Sequence, residues 1–514
     1  MKEDKNVIAR SENDEATPNE GVASPSARND SLPELPEGWV WTKIGEIANQ
    51  VNPGFPSGKH NKEGKGIPHL RPMNINIKGE IDLSEVKYVQ PNSYDRLLKG
   101  DVLFNNTNSP DLLGKTTYII EDTNWAYSNH MTRIRLIEGF INHVWISYSL
   151  HNLFLSGFYK MNCTHHVNQA SINRTFLTER VFIPLPPLPE QNRIVAKMEE
   201  LFTKLDAGVE ALKKVKAQLK RYRQAVLKYA FEGKLTEGWR ETHKNELEPA
   251  SVLLERIREE RKKNTKGLNV GATGRSPLPV DTSDLAKLPE GWVWTTTSNV
   301  CSFVTDGTHD TPKYVEEGTP LITSKNLKED EINFTTARNI SIEDHKKISI
   351  RSGVKKGDVL FAMIGTIGNP VVVQTERIFS IKNVALFKEN GSFINSEYLK
   401  FWLASWIFNK ILENRNFLKG TTQKFIPLEY LRIIPIPLPP LPEQHKIVEE
   451  IERRFSVADK IEKVVEGSLK QSERLRQSIL KKAFEGRLVP QDPNDEPAEK
   501  LLERIKLGKK RGRD

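Results

Sequence analysis

The chain of 514 residues is predicted to have an α+β fold with a pseudo-twofold internal repeat. Two globular mixed α/β regions are joined by two long helices that form an antiparallel coiled coil. Two observations predict this class: motifs that recur at a constant spacing, and a heptad-like apolar pattern at the end of each repeat. An aromatic content of 8% supplies enough large side chains for folded cores.

Three motifs recur letter for letter, each 253 residues after its first copy. They are Leu35-Pro-Glu-Gly-Trp-Val-Trp-Thr42 at Leu288–Thr295, Ile183-Pro-Leu-Pro-Pro-Leu-Pro-Glu-Gln191 at Ile436–Gln444, and Ala230-Phe-Glu-Gly233 at Ala483–Gly486. A fourth match, Lys99–Phe104 with Lys356–Phe361, is offset by 257 residues, so loops differ in length inside the repeat. The intervening segments 43–182 and 296–435 otherwise diverge, which predicts one scaffold presenting two different recognition surfaces.

A long helix is predicted to begin near Gln191 and to end at Gly233, because apolar residues recur there at spacings of three and four. Pro189 suits a first helical turn, and Gly233 suits the left-handed position that follows a helix. The second helix is predicted from Glu443 to Gly486. The predicted apolar seams are Ile194, Met198, Leu201, Leu205, Val209, Leu212, Val215, Leu219, Tyr222, Val226 and Tyr229, and Ile447, Ile451, Phe455, Ala458, Ile461, Val465, Leu475, Ile479 and Ala483.

An amphipathic helix of this length must bury its apolar stripe against a partner, and the other copy is the nearest candidate. The alternative, that each helix packs on its own globular region or on another protein, stays open. Residues 211–231 carry no acidic side chain and seven basic ones, which face either phosphates or a subunit, or form a solvated helix face. These are Lys213, Lys214, Lys216, Lys220, Arg221, Arg223 and Lys228.

The repeated motifs resemble those of the specificity subunit of type I restriction–modification systems. The resemblance rests on the Leu-Pro-Glu-Gly-Trp openings, the Pro-Leu-Pro-Pro-Leu-Pro-Glu-Gln helix starts, and the helix ends Arg223–Leu235 and Gln477–Leu488. It covers nearly all of residues 33–505, and its motifs occur twice in the family's order with variable regions between them.

The resemblance implies that residues 33–188 and 288–441 are target recognition domains, each binding one half of a bipartite double-stranded DNA site. It implies that helical spacers at 189–240 and 442–488 separate the halves and dock two methyltransferase subunits, which restriction subunits then join. We expect the remaining segments to be a disordered N-terminal extension (1–32), a linker (241–287) and a basic C-terminal tail (489–514). The expected docking and spacer positions are Pro189, Glu190, Gln191, Phe231, Gly233, Pro442, Glu443, Gln444, Phe484 and Gly486.

Polar clusters flanked by Gly and Pro are the candidate DNA-reading positions, because Arg pairs with guanine and Asn or Gln with adenine in the major groove. For each residue a role in a turn or cap is the competing interpretation. In the first unit the candidates are His69, Arg71, Asn74, Asn76, His165, His166, Asn168 and Gln169. In the second unit they are Thr308, His309, Ser324, Lys325, Asn326, Thr421, Thr422, Gln423 and Lys424.

Composition and missing motifs limit what this chain does by itself. A net charge of +9 favours an anionic partner, and two cysteines, Cys163 and Cys301, provide neither a disulfide framework nor a zinc site. The absence of a signal segment and of a long apolar run predicts a cytoplasmic protein without membrane contact. We find no phosphate-binding Gly-rich motif and no methyltransferase motif. The nuclease-like triplets Glu63–Lys65 and Glu85–Lys87 are of a kind common on solvated loops. We therefore expect no catalytic residues, metal or cofactor in this chain.

The resemblance implies that S-adenosylmethionine, Mg²⁺ and ATP are used by the partner subunits. The assembled complex would be a type I site-specific endonuclease and adenine-N6 DNA methyltransferase. Two other functions remain open: a free-standing bipartite DNA-binding regulator, and a duplicated coiled-coil scaffold without a DNA role. Capture of a methyltransferase subunit would argue against the first, and salt-dependent DNA binding against the second.

Overall fold

The computed structural model describes residues 32–57, 60–90, 96–264, 281–328, 330–388 and 393–511. The predicted disordered extension, apart from Leu32, and the Gly267–Pro279 stretch of the predicted linker lie outside these residues. The chain divides into two compact units. Unit 1 combines the residues up to Ala211 with those from Ser468 onward, and unit 2 is the continuous segment Leu212–Gly467. The boundary therefore falls inside both long helices.

The elements of the first half follow the predicted order of a mixed globular region and a long helix. They are β1 Val40–Lys43, α1 Ile44–Ile47, β2 Ala48–Pro53, β3 Ile67–Leu70, β4 Lys87–Val89, β5 Val102–Asn105, β6 Thr107–Asn108, β7 Thr116–Tyr118, β8 Ala126–Tyr127, β9 Met131–Leu136, α2 His143–Leu155, α3 Phe158–Asn162, β10 Thr164–His165, β11 Ala170–Ser171, α4 Arg174–Glu179, β12 Phe182–Leu185, α5 Leu188–Phe231, α6 Glu237–Thr242 and α7 Ala250–Asn264.

The second half repeats this order with small differences in its loops. Its elements are β13 Val293–Thr296, α8 Thr297–Val300, β14 Val304–Asp306, β15 Tyr314–Val315, β16 Thr319–Ile322, β17 Leu327–Lys328, β18 Glu331–Ile332, β19 Arg338–Ile340, α9 Ile342–Ser352, β20 Val359–Ala362, β21 Gly368–Val372, β22 Ser380–Ile381, β23 Val384–Phe387, α10 Ser396–Ala404, α11 Trp406–Asn414, α12 Leu428–Ile433, β24 Pro435–Leu438, α13 Leu441–Phe484 and α14 Ala498–Arg511.

Each unit contains a four-stranded antiparallel sheet, in the order β2-β9-β5-β7 in unit 1 and β14-β23-β20-β21 in unit 2. A second sheet, β4-β3-β8 in unit 1 and β15-β19-β16-β22 in unit 2, includes one parallel pair, β3 with β8 or β16 with β22. The first sheet of unit 1 packs on α2, and that of unit 2 packs on α10. The predicted repeat is therefore confirmed at the level of sheet order.

The repeated opening motif pairs with the repeated helix start. In unit 1 the strand β1 pairs antiparallel with β12, Trp41 opposite Pro184, and in unit 2 β13 pairs with β24, Trp294 opposite Pro437. These two-stranded ribbons bring the first and last strands of each variable region together. A variable region can therefore differ in sequence while its two ends stay joined in the same way.

The Glu-Gln pair at each helix start is buried, which corrects its predicted role as a docking surface. Trp39 Nε1 donates to Glu190 Oε2 at 3.0 Å, and Trp292 Nε1 donates to Glu443 Oε2 at 2.8 Å. Burial raises the pKa of both carboxyl groups. These side chains are at most 1% exposed, so they hold the helix to its own globular region and offer no exposed surface for docking.

The adjacent glutamines have the same internal role. Gln191 Oε1 accepts from the backbone N–H of Asn142 at 2.9 Å, and Gln444 Oε1 accepts from that of Asn395 at 2.9 Å. Asn142 and Asn395 are the N-cap residues of α2 and α10, so each glutamine joins the start of a long helix to the start of a core helix. Among the predicted docking positions at the helix starts, Pro189 and Pro442 are exposed.

The predicted glycine caps are confirmed at both helix ends. Gly233 and Gly486 have φ of +71° and +66°, and each follows the last helical turn. Phe231, 2% exposed, packs on Trp402 in unit 2 with ring centroids 5.1 Å apart. Phe484, 4% exposed, packs on Trp145 in unit 1 at 4.9 Å. The end of each long helix therefore completes the core of a globular region, and these phenylalanines are not exposed for docking.

The two long helices run antiparallel, as predicted. In unit 2, Lys216 pairs with Glu466 at 2.6 Å and Arg223 pairs with Asp459 at 2.5 Å. Residue numbers along α13 therefore decrease as those along α5 increase. In unit 1 the start of α5 and the end of α13 share one core cluster. Two residues of the predicted basic stripe are therefore paired with carboxylates of α13.

The predicted apolar seam of α13 was wrong in its middle. Ile461 is 42% exposed and Leu475 is 50% exposed, whereas Val465 is 3% exposed. Directly after Leu475, the polar Arg476 contacts α5 and pairs with Asp206 at 2.6 Å. The seam therefore rotates away from the apolar residues that the heptad pattern selected.

The segments predicted as a linker and a basic tail contain packed helices. In unit 2, α7 begins at Ala250, whose backbone N–H donates to Gly291 O at 2.9 Å, and its apolar face joins the core. In unit 1, α14 begins at Ala498, whose N–H donates to Gly38 O at 2.9 Å, and Leu501, Leu502 and Ile505 are buried. Both units thus pack a helix against their opening motif in the same way, and the C-terminal segment is not a tail.

Candidate nucleic-acid interface

A close approach of two chain segments positions the candidate residues in each unit. A Cβ at Gly54 would lie 2.0 Å from Tyr127 O, and a Cβ at Gly307 would lie 2.1 Å from Ile381 O. Only glycine fits at such distances. The residue after each glycine forms an isolated parallel bridge, to Ser128 in unit 1 and to Lys382 in unit 2. The loops that follow are therefore held beside β8 and β22.

Unit 1 contains an open cavity of about 560 Å³ beside this crossing. It brings together three of the predicted DNA-reading residues, which lie far apart in the sequence. No carboxylate is among the described residues that line it. The lining includes the predicted His69, Arg71 and Gln169 and the basic residues His60, Lys115 and His130.

Histidines form part of the wall of the cavity, and one of them, His69, is buried. His69 is 1% exposed, and its ring lies 4.9 Å from that of Phe55 and 5.3 Å from that of His60. Burial and the charge of His60 lower the pKa of His69 to about 4, although the backbone of Phe55 and Tyr127 opposes this shift. Burial and the charges of Lys87 and Arg71 also lower the pKa of His60. At neutral pH the His69 ring is therefore uncharged.

The 3₁₀ turn after β3 carries Arg71 and is fixed by Asn74, which is 2% exposed. Asn74 Oδ1 accepts from the Arg71 backbone N–H at 3.0 Å, and its Nδ2 donates to Asp82 O at 2.9 Å. In unit 2, Asn326 Oδ1 accepts from the Thr323 N–H at 2.9 Å, in an equivalent turn. The side-chain amides of both asparagines are hydrogen-bonded to the backbone of their turns. The structure therefore favours a role in the turn over a role in DNA reading for both residues.

Two further candidates also hold turns. Asn76 Oδ1 accepts from the backbone N–H groups of Lys78 and Glu80 at 2.8 and 3.0 Å. Ser324 Oγ donates to Asn383 O at 3.3 Å, while the neighbouring Lys325 is exposed. Lys325 alone of this pair has a side chain placed for contact with another molecule.

A short hairpin carries the other unit 1 candidates. In β10 and β11, Thr164 pairs with Ser171 and His165 with Ala170, and β11 also pairs antiparallel with β6. The side chains of the turn are exposed, and Val167 at its tip is 99% exposed. His165, His166, Asn168 and Gln169 are all exposed on this hairpin.

Unit 2 has an equivalent hairpin. Lys419 and Phe425 exchange two backbone hydrogen bonds of 2.9 Å, and Gly420 between them has a φ of +87°. Ile364 bridges to Phe425, as Asn108 of β6 pairs with Ala170 in unit 1. The turn residues Thr421, Thr422, Gln423 and Lys424 are exposed. The two candidate clusters that surround Gln169 and Gln423 therefore occupy the same place in the two units.

The Thr308-His309 site differs in its chemistry from the unit 1 cavity. His309 Nε2 lies 3.0 Å from Asp306 Oδ2, and its Nδ1 lies 3.1 Å from Asn383 Oδ1. Arg351 also pairs with Asp306, whose side chain is buried. Both ring nitrogens of His309 are therefore engaged within the unit, and Thr308 is partly buried beside them.

The sequence interpretation missed several residues of these surfaces. Asn108, Lys115, Asn129 and His130 line the unit 1 cavity, and Asp306 organises the unit 2 site. A signal existed for some of them, because Asn105–Asn108 and Ser128–His130 are polar runs between apolar strands. Their proximity to Arg71 depends on strand pairing, which the sequence does not display.

The described part of the chain contains no group of three His, Cys, Asp or Glu side chains arranged to hold a metal ion. Cys163 Sγ lies 3.6 Å from His165 Nε2, the nearest approach to such a group at the hairpin. Within the same residues, no helix is long and apolar enough to cross a membrane.

Comparison with known proteins matches this architecture. A family model described as "Type I restriction modification DNA specificity domain" matches residues 36–221 and 289–470, one match in each repeat. The EcoBI specificity subunit of Escherichia coli, a type I restriction enzyme subunit, is 27% identical over 507 residues, which are 92% of this chain and 93% of that one. The EcoKI specificity subunit of Escherichia coli strain K12 is 24% identical, over 93% of this chain and 96% of that one.

A solved structure supports the fold. It comes from work on complex assembly and conformational transition of the type I restriction–modification system, and it superimposes with a TM-score of 0.57 at 20% identity. The superposition covers 88% of this chain and 100% of the other. Because the two matches of the family model together cover more than half of the chain, this protein belongs to the type I restriction–modification DNA specificity family.

Proposed function

We propose that this chain is the DNA-sequence-specificity subunit of a type I restriction–modification complex and is itself non-catalytic. Unit 1 binds one half of a bipartite double-stranded DNA site, and unit 2 binds the other half. The observation that carries this proposal is the pair of exposed hairpins at equivalent places in two units whose frames repeat and whose surfaces differ. Different side chains on equivalent hairpins would make the two half-sites different in sequence.

Base reading in this proposal belongs to exposed amides and cations. The exposed residues of the two hairpins are the candidates, Asn168 and Gln169 in unit 1 and Gln423 and Lys424 in unit 2. Amides suit adenine, and lysine suits guanine, in the major groove. Asn74, Asn76 and Asn326 support the surfaces by holding their turns.

The partners of the proposed complex are two methyltransferase subunits and restriction subunits. S-adenosylmethionine, Mg²⁺ and ATP would be used by those partners, and methylation at N6 of adenine and DNA cleavage would be activities of the assembly. We propose the cytoplasm as the place of action.

A methyltransferase subunit docks on exposed apolar residues of α13 in this proposal. Val457, Ile461 and Val464 are 53%, 42% and 68% exposed, and their spacing of four and three places them on one helix face. The Ile461→Asp variant should reduce capture of the methyltransferase subunit from a co-expressing cell. The matched variant Lys463→Asp, on the opposite side of the helix, should leave capture unchanged; equal loss in both would contradict this docking face.

Exchange of residues 43–182 for the corresponding region of another family member tests the half-site assignment. We expect the methylated sequence, read by single-molecule sequencing of genomic DNA, to change in one half and to keep the other. A change in both halves, or methylation that does not depend on this chain, would contradict the proposed function.

A further inference from the structure

The cavity of unit 1 is suited to an anion. Two cations line it, Arg71 and Lys115, together with the imidazoles of His60, His69 and His130, and no carboxylate is among its described lining residues. Lys115 is 5% exposed, and its Nζ donates to Pro72 O at 2.9 Å and to Ile75 O. This lysine therefore holds the turn that carries Arg71 while adding positive charge to the cavity wall.

Two nitrogen atoms at the cavity have no hydrogen-bond partner of suitable geometry among the described residues. They are Nε2 of His60 and Nε of Arg71. The Arg71 guanidinium donates through Nη2 to Met73 Sδ at 3.0 Å, a weak acceptor. Buried donors without partners are unfavourable, and a ligand with several acceptor oxygens would satisfy them.

The shape of unit 1 separates two kinds of DNA contact. Base edges lie at the floor of a groove, so a side chain must protrude to reach them, as the hairpin with Val167 at its tip does. Backbone phosphates project from the duplex and can enter a recess. The cavity is recessed, cationic and next to the hairpin, because Gln169 belongs to both.

We propose that the cavity lined by His60, His69 and Arg71 binds a backbone phosphate of the half-site that unit 1 recognises, while the neighbouring hairpin reads bases. This inference rests on the proposed function. Arg71 and His60 contact the phosphate oxygens, and Lys115 is a positioning residue for Arg71. Phosphate contacts fix the register of a protein on DNA without reading its sequence.

Among the described residues, the equivalent turn of unit 2 does not carry the side chains of the proposed subsite. The equivalent turns, aligned on Asn74 and Asn326, place Thr323 where unit 1 has Arg71, and Leu321 where it has His69. In unit 2 the nearby buried Asp306 adds negative charge. We therefore expect the two half-sites to be held by different backbone contacts.

The test uses the full chain in complex with its methyltransferase subunits and a duplex that carries the methylated sequence of the wild-type complex. Each phosphate of the unit 1 half-site is replaced in turn by an uncharged methylphosphonate, and affinity is measured at several salt concentrations. For the wild type, we expect one position whose neutralisation weakens binding about tenfold.

Arg71→Gln should weaken binding to the unmodified duplex about tenfold, lower the salt dependence by about one phosphate contact, and make binding insensitive to that methylphosphonate. Arg71→Lys should restore part of the affinity, and Lys99→Gln, an exposed residue of unit 1 outside the cavity, should behave as wild type. The methylated sequence should be unchanged in every variant.

Relaxed or altered sequence at one base of the half-site in Arg71→Gln would overturn the proposal, because it would make Arg71 a base-reading residue. Equal sensitivity of wild type and variant at every methylphosphonate position would also overturn it. A wild-type complex with no defined methylated sequence would instead contradict the proposed function, and the phosphate subsite with it.

Discussion

Acid should destabilise unit 1 through His151, a core residue that is 4% exposed. Its Nδ1 accepts from the backbone N–H of Thr116 at 3.2 Å, and its Nε2 lies 3.0 Å from Ile77 O. This arrangement requires the neutral ring protonated at Nε2, since protonated Nδ1 would face a donor. Burial lowers the pKa of His151 to about 4 from its usual 6.5, and the charges of Lys115 and Arg476 act in the same direction.

The sign and size of the effect follow from this pKa. The folded state binds the proton less readily than the unfolded state, so stability is complete above pH 6.5 and falls as the pH falls from 6.5 through 4. A difference of about 2.5 pKa units corresponds to about 3 kcal/mol once the loss is complete below pH 4. At pH 5 the free energy of unfolding should have decreased by about 2 kcal/mol.

His151→Gln keeps a donor and an acceptor but removes the titration. The change in the free energy of unfolding is measured by urea unfolding at pH 7.5 and pH 5. The readout is the hydrogen-exchange protection of β7 and α2, corrected for intrinsic exchange. The variant should lose about 2 kcal/mol less of its free energy of unfolding than the wild type between these pH values. From pH 7.5 to 9, the free energy of unfolding should change with pH equally in both proteins. Equal losses in both proteins would refute the assignment of the acid sensitivity to this ring.

Truncation of the aromatic residues at the helix ends should act on different units. Phe231→Ala should reduce hydrogen-exchange protection in unit 2, and Phe484→Ala in unit 1, each by about 3–5 kcal/mol; loss in the other unit would contradict the packing described. Gly307→Ala should lower the yield of folded protein, because its Cβ would lie 2.1 Å from a carbonyl oxygen; normal yield and melting temperature would show that the backbone can move. Gln169→Ala and Gln423→Ala should each relax the methylated sequence in one half only, and sequencing of genomic DNA would reveal any change in the wrong half.

The frame was predictable because its signals are local and occur twice. The helix starts, the glycines at helix ends and the antiparallel pairing followed from motifs and heptad-like spacing. The structure extends α5 to Leu188–Phe231 and α13 to Leu441–Phe484, close to the predicted bounds. Ile461 was placed wrongly, because the buried face of a helix depends on its partner as well as on its own pattern.

The candidate surfaces were predictable only in part. Polar clusters marked both hairpins, but Asn74 and Asn326 looked like DNA-reading residues and proved to hold turns. The buried roles of Glu190 and Glu443 were invisible, because a carboxylate at a helix start is ordinarily exposed. In α14, the basic charge of the segment concealed the apolar spacing of Leu501, Leu502 and Ile505.

Unit 1 is built from two separate segments of the chain, which has a consequence for biosynthesis. Its core includes residues near the start of the chain and, through Phe484 and α14, residues near position 500, whereas unit 2 is one continuous segment. On the ribosome, unit 2 can therefore acquire all of its parts while unit 1 still lacks its closing helices. The half of the protein that is made first is completed last, and it depends on the emergence of the final helices.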